Sequence, residues 1–215
     1  MQMQKYAYKL SIFDKAASAQ LLALAIFAFI LFFLSPQQTK ANEILDAAAQ
    51  NELAAFLISE TPKELPTTPF KDEQGNELNL QNWKGKTILV NLWATFCAPC
   101  RHEMPDLDAL QGQLGDENFE VVTISLDRGD IKKPKKFFEE IGIENLKLYH
   151  DDRGKIFNSF RRISLARGLP FTVLIGPDGK DMGYLNGPAA WASQDAVHLI
   201  ETAKMINKQD LKPKN

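Results

Sequence analysis

The chain has 215 residues, 45% hydrophobic and 24% charged, enough for one globular domain with a tail and a core that needs no covalent staples. Its formal net charge of −2 provides no basic field, which excludes nucleic acid as a natural partner. Its two cysteines exclude a disulfide-rich scaffold and a four-thiolate zinc site.

Residues 21–34 are unbroken apolar, and extending back to Ala16 gives 19 residues without a charge. That is enough to cross a bilayer as a helix. Lys5, Lys9 and Lys15 precede it with Asp14 the only acid, so the N-terminus is expected in the cytoplasm and the body of the chain outside. The alternative is a cleaved signal peptide, for which Thr39-Lys40-Ala41 is a poor cleavage site. Either way, residues 1–40 form an anchor or signal segment with its linker, and 41–215 form an exported domain.

Asn42 can cap a helix over about 43–58, with Leu45, Ala49, Leu53 and Phe56 or Leu57 on one face. Three prolines between Thr61 and Pro69 mark an extended connection, and residues 72–76 a turn. Leu78 and Leu80 alternate as on a short strand, and the run 87–93 is a buried strand. That strand delivers Cys97-Ala98-Pro99-Cys100 to the start of a helix expected to reach Leu114, with a kink at Pro105. A strand feeding Cys-x-x-Cys into a helix is a redox device. The first sulfur sits at the helix N-terminus, and the second lies one turn in, close enough to close a small disulfide ring.

Further on, the pattern predicts a strand over 119–126, a helix over 135–141, a short strand over 146–149 and a helix over 156–166 closed by Gly168. Residues 171–175 and 182–185 flank Gly176-Pro177-Asp178-Gly179, a hairpin signal, and a last helix is expected over 189–206. The order of elements implies an α/β domain with a central mixed sheet and helices on both faces.

Asn91-Leu92-Trp93-Ala94-Thr95-Phe96-Cys97-Ala98-Pro99-Cys100-Arg101-His102-Glu103-Met104-Pro105 resembles thioredoxin-fold proteins, in particular the membrane-anchored, exported TlpA-type thiol:disulfide interchange proteins. Gly168-Leu169-Pro170-Phe171-Thr172 is similar to the segment that supplies the fold's cis-proline, and Gly187-Pro188-Ala189-Ala190-Trp191-Ala192-Ser193 resembles the TlpA C-terminal region. The resemblance spans about residues 41–205. It implies a thioredoxin fold, a bacterial inner-membrane anchor and a periplasmic domain. It also implies reduction of client cysteine pairs during cytochrome c or cytochrome oxidase assembly, with electrons from a membrane donor of thiol-reductase type. The chain departs from the family at Phe96, where Trp is usual, and lacks the second cysteine pair of some members.

Cys97 is then the attacking sulfur, favoured as thiolate by the helix N-terminus, and Cys100 the resolving one. No cofactor is needed beyond the redox-active Cys97–Cys100 pair. A permanent structural disulfide gains little from so small a loop. Among relatives a carboxylate at the position of Glu103 handles protons, so Glu103 is a candidate general base for Cys100; the alternative is a solvated first-turn acid. Asn91 stands where ordinary thioredoxins have a buried Asp and cannot titrate. Phe96, Pro99, Leu169 and a cis Pro170 are expected to meet the client, together with Trp93, which is also expected to pack beneath the redox site. His102 and His198 are expected on helix faces, and His150-Asp151-Asp152 in a loop before a helix cap. Lys132-Lys133-Pro134-Lys135-Lys136 is a solvated helix start or a docking patch for an acidic partner. A Cu(I) carrier using both thiolates is the alternative function.

Overall fold

The computed structural model describes residues 36–210. The apolar segment expected to cross a membrane lies outside them, and among the described residues no helix is long and apolar enough to do so. The chain divides into two units, Met1–Ala41 and Asn42–Asn215.

The elements are helix α1 (Pro36–Ala48), a 3-10 turn (Asn51–Leu53), strands β1 (Leu57–Ile58), β2 (Phe70–Lys71) and β3 (Glu77–Leu78), and a second 3-10 turn (Leu80–Trp83). Strand β4 (Thr87–Trp93), helix α2 (Ala98–Leu114), strand β5 (Phe119–Ser125), helix α3 (Lys132–Ile141) and strand β6 (Lys147–His150) follow. The chain continues with α4 (Lys155–Arg162), β7 (Phe171–Ile175), β8 (Asp181–Asn186) and α5 (Gln194–Asp210).

The strands form one mixed sheet in the order β1-β8-β7-β4-β5-β6-β2-β3. β4 runs parallel to β5 over its whole length, joined through α2, and antiparallel to β7. β7 and β8 make the expected antiparallel hairpin. Every residue of β4 is buried, as a central strand covered on both faces requires. Alternation along β4 divides the core. Leu89 and Trp93 join α2 and α5 in one cluster, while Ile88, Val90 and Leu92 join Ile156 and Phe160 of α4 in the other. Asn91, in phase with Leu89 and Trp93, is thereby aimed at the α2 side.

Four expected elements differ. The helix expected over 43–58 instead runs from Pro36 to Ala48, with Asn42 inside it rather than capping it; Gln50 is extended, Asn51 takes φ +48, and Leu57–Ile58 pairs with β8. Leu45, Ala49, Leu53 and Phe56 are still buried, but on three successive pieces of chain. Leu80 leaves strand geometry because Asn79 caps the second 3-10 turn, its side chain accepting from Gln81 N at 2.9 Å. Helix α4 ends at Arg162, ahead of Gly168, and Ser164 turns the chain at φ +62. The last helix starts at Gln194, with Ser193 Oγ accepting from Ala196 N at 3.2 Å, because residues 187–191 are engaged elsewhere. Gly183 is where β1 crosses closest, since a Cβ there would lie 2.4 Å from Phe56 and 2.8 Å from Leu57 O.

Candidate active site

Cys97 is the N-cap of α2 and is joined to Cys100 by a disulfide, S–S 2.07 Å. Its Sγ accepts the Cys100 N–H at 3.3 Å. Such a donor, at the positive end of a helix, favours negative charge on that sulfur once the pair is reduced. Cys97 keeps 9% exposure and Cys100 none, so an incoming sulfur reaches Cys97 first. Pro99 is exposed in the first turn, where a missing N–H costs nothing. Helix α2 continues through Pro105.

The loop before Cys97 is fastened from below. Asp127, buried just after β5, accepts from Thr95 N at 2.8 Å, from Thr95 Oγ1 and from Ser125 Oγ at 2.9 Å, and pairs with Lys133 at 3.2 Å. Burial alone would raise its carboxyl, but the Thr95 and Ser125 hydrogen bonds prevail and hold it below the usual carboxylate range. Phe96, at the tip of the loop, is 71% exposed.

Glu103 is not a solvated acid. It is 3% exposed, facing Asn91 across the α2–β4 interface. Asn91 Nδ2 donates to Glu103 Oε1 at 2.8 Å and to Thr172 Oγ1 at 2.9 Å. The other oxygen, Oε2, accepts from Ala189 N at 3.2 Å and Trp191 Nε1 at 3.1 Å. Burial pushes the Glu103 carboxyl up to about 7; the hydrogen bonds from Asn91, Ala189 and Trp191 oppose that rise, and Asp106 adds to it. A group of that affinity one turn beyond Cys100 can release or take up a proton at neutral pH.

The Leu169–Pro170 peptide bond is cis. Phe171 pairs with Leu92, so Pro170 lies at the sheet end from which β4 delivers Cys97. Leu169 is half-buried. Trp93 requires a correction: it is 0% exposed, stacked on Phe138 at 5.3 Å and close to Phe137 at 5.5 Å, so it forms the floor of the site and cannot touch a client. Asp127, Thr172 and Trp191 were not legible as site residues. Thr172 and Trp191 carried a signal only as members of the family-like segments Gly168–Thr172 and Gly187–Ser193, and Asp127 carried none.

The other charged candidates have local partners. His150 Nε2 bonds Asp127 O at 2.7 Å, and Asp151 accepts from Ile156 N at 2.7 Å, holding the start of α4. The basic run is offset within the chain: Lys132 pairs with Asp130, Lys133 with Asp127, Lys135 with Glu73 and Lys136 with Glu140. Among the described residues no group of three His, Cys, Asp or Glu could hold a metal ion.

Residues 62–180 match the AhpC/TSA family. The thiol-disulfide oxidoreductase ResA of Bacillus thuringiensis subsp. konkukian is 30% identical over 128 residues, covering 60% of this chain and 70% of that protein. A thiol:disulfide interchange protein of the thioredoxin family from Chlorobium tepidum superposes with TM-score 0.56 at 24% identity, over 68% of this chain and 99% of that one. The thioredoxin domain of a thiol-disulfide oxidoreductase from Bacteroides vulgatus superposes with TM-score 0.54 at 26% identity, over 67% of this chain and 96% of that one. The fold is therefore the thioredoxin fold.

Proposed function

This chain belongs to the AhpC/TSA family, and on that footing we propose that it works as an exported thiol:disulfide oxidoreductase, reducing client disulfides during cytochrome c or cytochrome oxidase assembly. The observation that carries the chemistry is the Cys97–Cys100 pair at the N-terminus of α2, with the outer sulfur accessible, the inner one buried and Glu103 buried one turn further on.

In the reduced state the Cys97 thiolate attacks one sulfur of a client disulfide. A Cys97–client mixed disulfide forms, and the client's other sulfur leaves as thiolate and takes a proton from solvent. Glu103 takes the proton of the Cys100 thiol. The Cys100 thiolate then attacks Cys97 Sγ, breaking the mixed disulfide and expelling the second client sulfur as a thiolate, which takes a proton from solvent while Glu103 gives its proton back to solvent. The client gains two electrons and becomes a dithiol, and the pair becomes the disulfide. A membrane thiol reductase returns two electrons. Exposed Phe96 and half-buried Leu169 are the side chains offered to a client segment, while Pro170 is itself buried and contributes through the cis backbone beside Leu169.

Export is supported by the uncharged run 16–34 behind Lys5, Lys9 and Lys15, and tethering by its length. The selective, reductive direction is supported by the TlpA-like motifs, since a general oxidase makes disulfides in that compartment without selection. The test is a Cys100→Ser variant expressed in the native membrane context, which should accumulate mixed disulfides through Cys97. Recovery of cytochrome-assembly proteins is the expected result. A full-length chain whose pair cannot be reduced and reoxidised, or a variant that captures no thiol protein, overturns the proposal.

A further inference from the structure

The segment Gly187–Ser193 supplies no sulfur and no titratable group, yet it touches both halves of the site. Gly187, at φ +127, donates its N–H to Pro170 O at 2.9 Å. That φ disfavours any side chain, so the turn there suits glycine. Two residues on, the Ala189 N–H reaches Glu103 Oε2, and the Trp191 indole N–H reaches the same oxygen. Trp191 is fully buried in the cluster that holds Cys97, Cys100 and Met104. As core filling alone, a phenyl ring would serve there. A buried indole adds a polar group that must be satisfied, and this one is satisfied by the carboxylate.

We propose that Trp191 is a positioning residue for thiol exchange: with the Ala189 N–H it clamps Glu103 Oε2, holding the carboxylate in orientation and favouring its ionised form, while Gly187 ties the same segment to Pro170. This rests on Glu103 as the proton-handling group. The clamp works against burial, because each donated hydrogen bond is stronger to the carboxylate than to the carboxylic acid. From β4 and the segment, Asn91, Ala189 and Trp191 bond Glu103, and Thr172 of β7 bonds Asn91 behind it; none of the four titrates. On α2, Asp106 opposes ionisation and Cys100 precedes Glu103 by one turn.

The test combines NMR and kinetics on the full chain. In the reduced wild type, the Trp191 indole N–H resonance should move with pH at the midpoint of the Glu103 carboxyl carbon, and Glu103→Gln should abolish that movement. In Trp191→Phe the Glu103 midpoint should rise by about one pH unit. The inflection in the rate of exchange with an aromatic disulfide probe should move with it. In a Glu103→Gln background, Trp191→Phe should leave the pH profile unchanged. An indole resonance blind to pH while Glu103 titrates overturns the clamp, and this measurement needs no folded variant. So does a Glu103 midpoint in Trp191→Phe equal to that of the wild type. If Glu103→Gln alone reproduces the wild-type exchange profile, the proton-handling role itself falls, and the clamp's part in exchange falls with it.

Discussion

Asn91 donates to Glu103 at 2.8 Å while its own Oδ1 finds no donor among the described residues. The amide supports the ionised carboxylate yet cannot take its proton. Of the two, only Glu103 can titrate, and it lies on the helix that carries the cysteines.

Asn91→Asp should turn this pair into two carboxyls at hydrogen-bond distance, which cannot both ionise without strong repulsion. The variant should lose about 2 kcal/mol or more at about pH 8, and less at about pH 5, where a shared proton joins the two groups. Urea unfolding at both pH values measures this. Equal losses at the two would mean that the residues do not interact.

Glu103 also leaves a mark on stability. Its carboxyl is raised from 4.5 to about 7 in the folded chain. Between those values the native state binds more protons than the unfolded state, so stability falls as pH rises through this window and is level above it. The full drop corresponds to about 3 kcal/mol. Glu103→Gln should flatten the slope, whatever its effect on absolute stability. Unfolding free energies across the window check it, and an unchanged slope would place the proton on another group.

Asp127→Asn should loosen the loop that leads into Cys97. Thr95 and Ser125 would keep a weaker acceptor and Lys133 would lose its partner, for a loss of about 2–4 kcal/mol. Because the carboxyl is held low, the contribution is complete above the ordinary carboxylate range and disappears only as pH falls through the depressed value. Lys133→Ala should cost under about 1 kcal/mol, since that ammonium is largely solvated. Denaturant midpoints rank the two, and the reverse order would refute this account.

Phe96→Ala should leave unfolding free energy within about 0.5 kcal/mol of wild type, because the ring is exposed. Exchange with a small disulfide should be unaffected, and exchange with a protein client should slow several-fold. Equal slowing of both would show that Phe96 acts on the sulfur rather than on docking.

The sheet, the hairpin and the cysteine-bearing helix were legible because each carries a local signature: the run 87–93, the Gly176–Gly179 turn, and Cys-x-x-Cys after a strand. The end of the first helix was not legible because Leu45, Ala49, Leu53 and Phe56 keep helical spacing and burial although the chain leaves helical geometry at Gln50 and Asn51. The early start expected for the last helix failed at Ala189, whose N–H goes to a carboxylate 86 positions away. Asp127-Arg128-Gly129-Asp130 looks like any polar loop. Nothing local shows that Asp127 turns inward under Thr95.

The two outermost strands, Leu57–Ile58 and Glu77–Leu78, are each two residues long. Eight strands side by side would otherwise expose rows of free peptide groups at either margin, inviting a second chain to add on and so begin a fibril. Margins this short present too few donors and acceptors to recruit one. The wide platform beneath the sulfur pair is thus protected against self-association by the brevity of its borders.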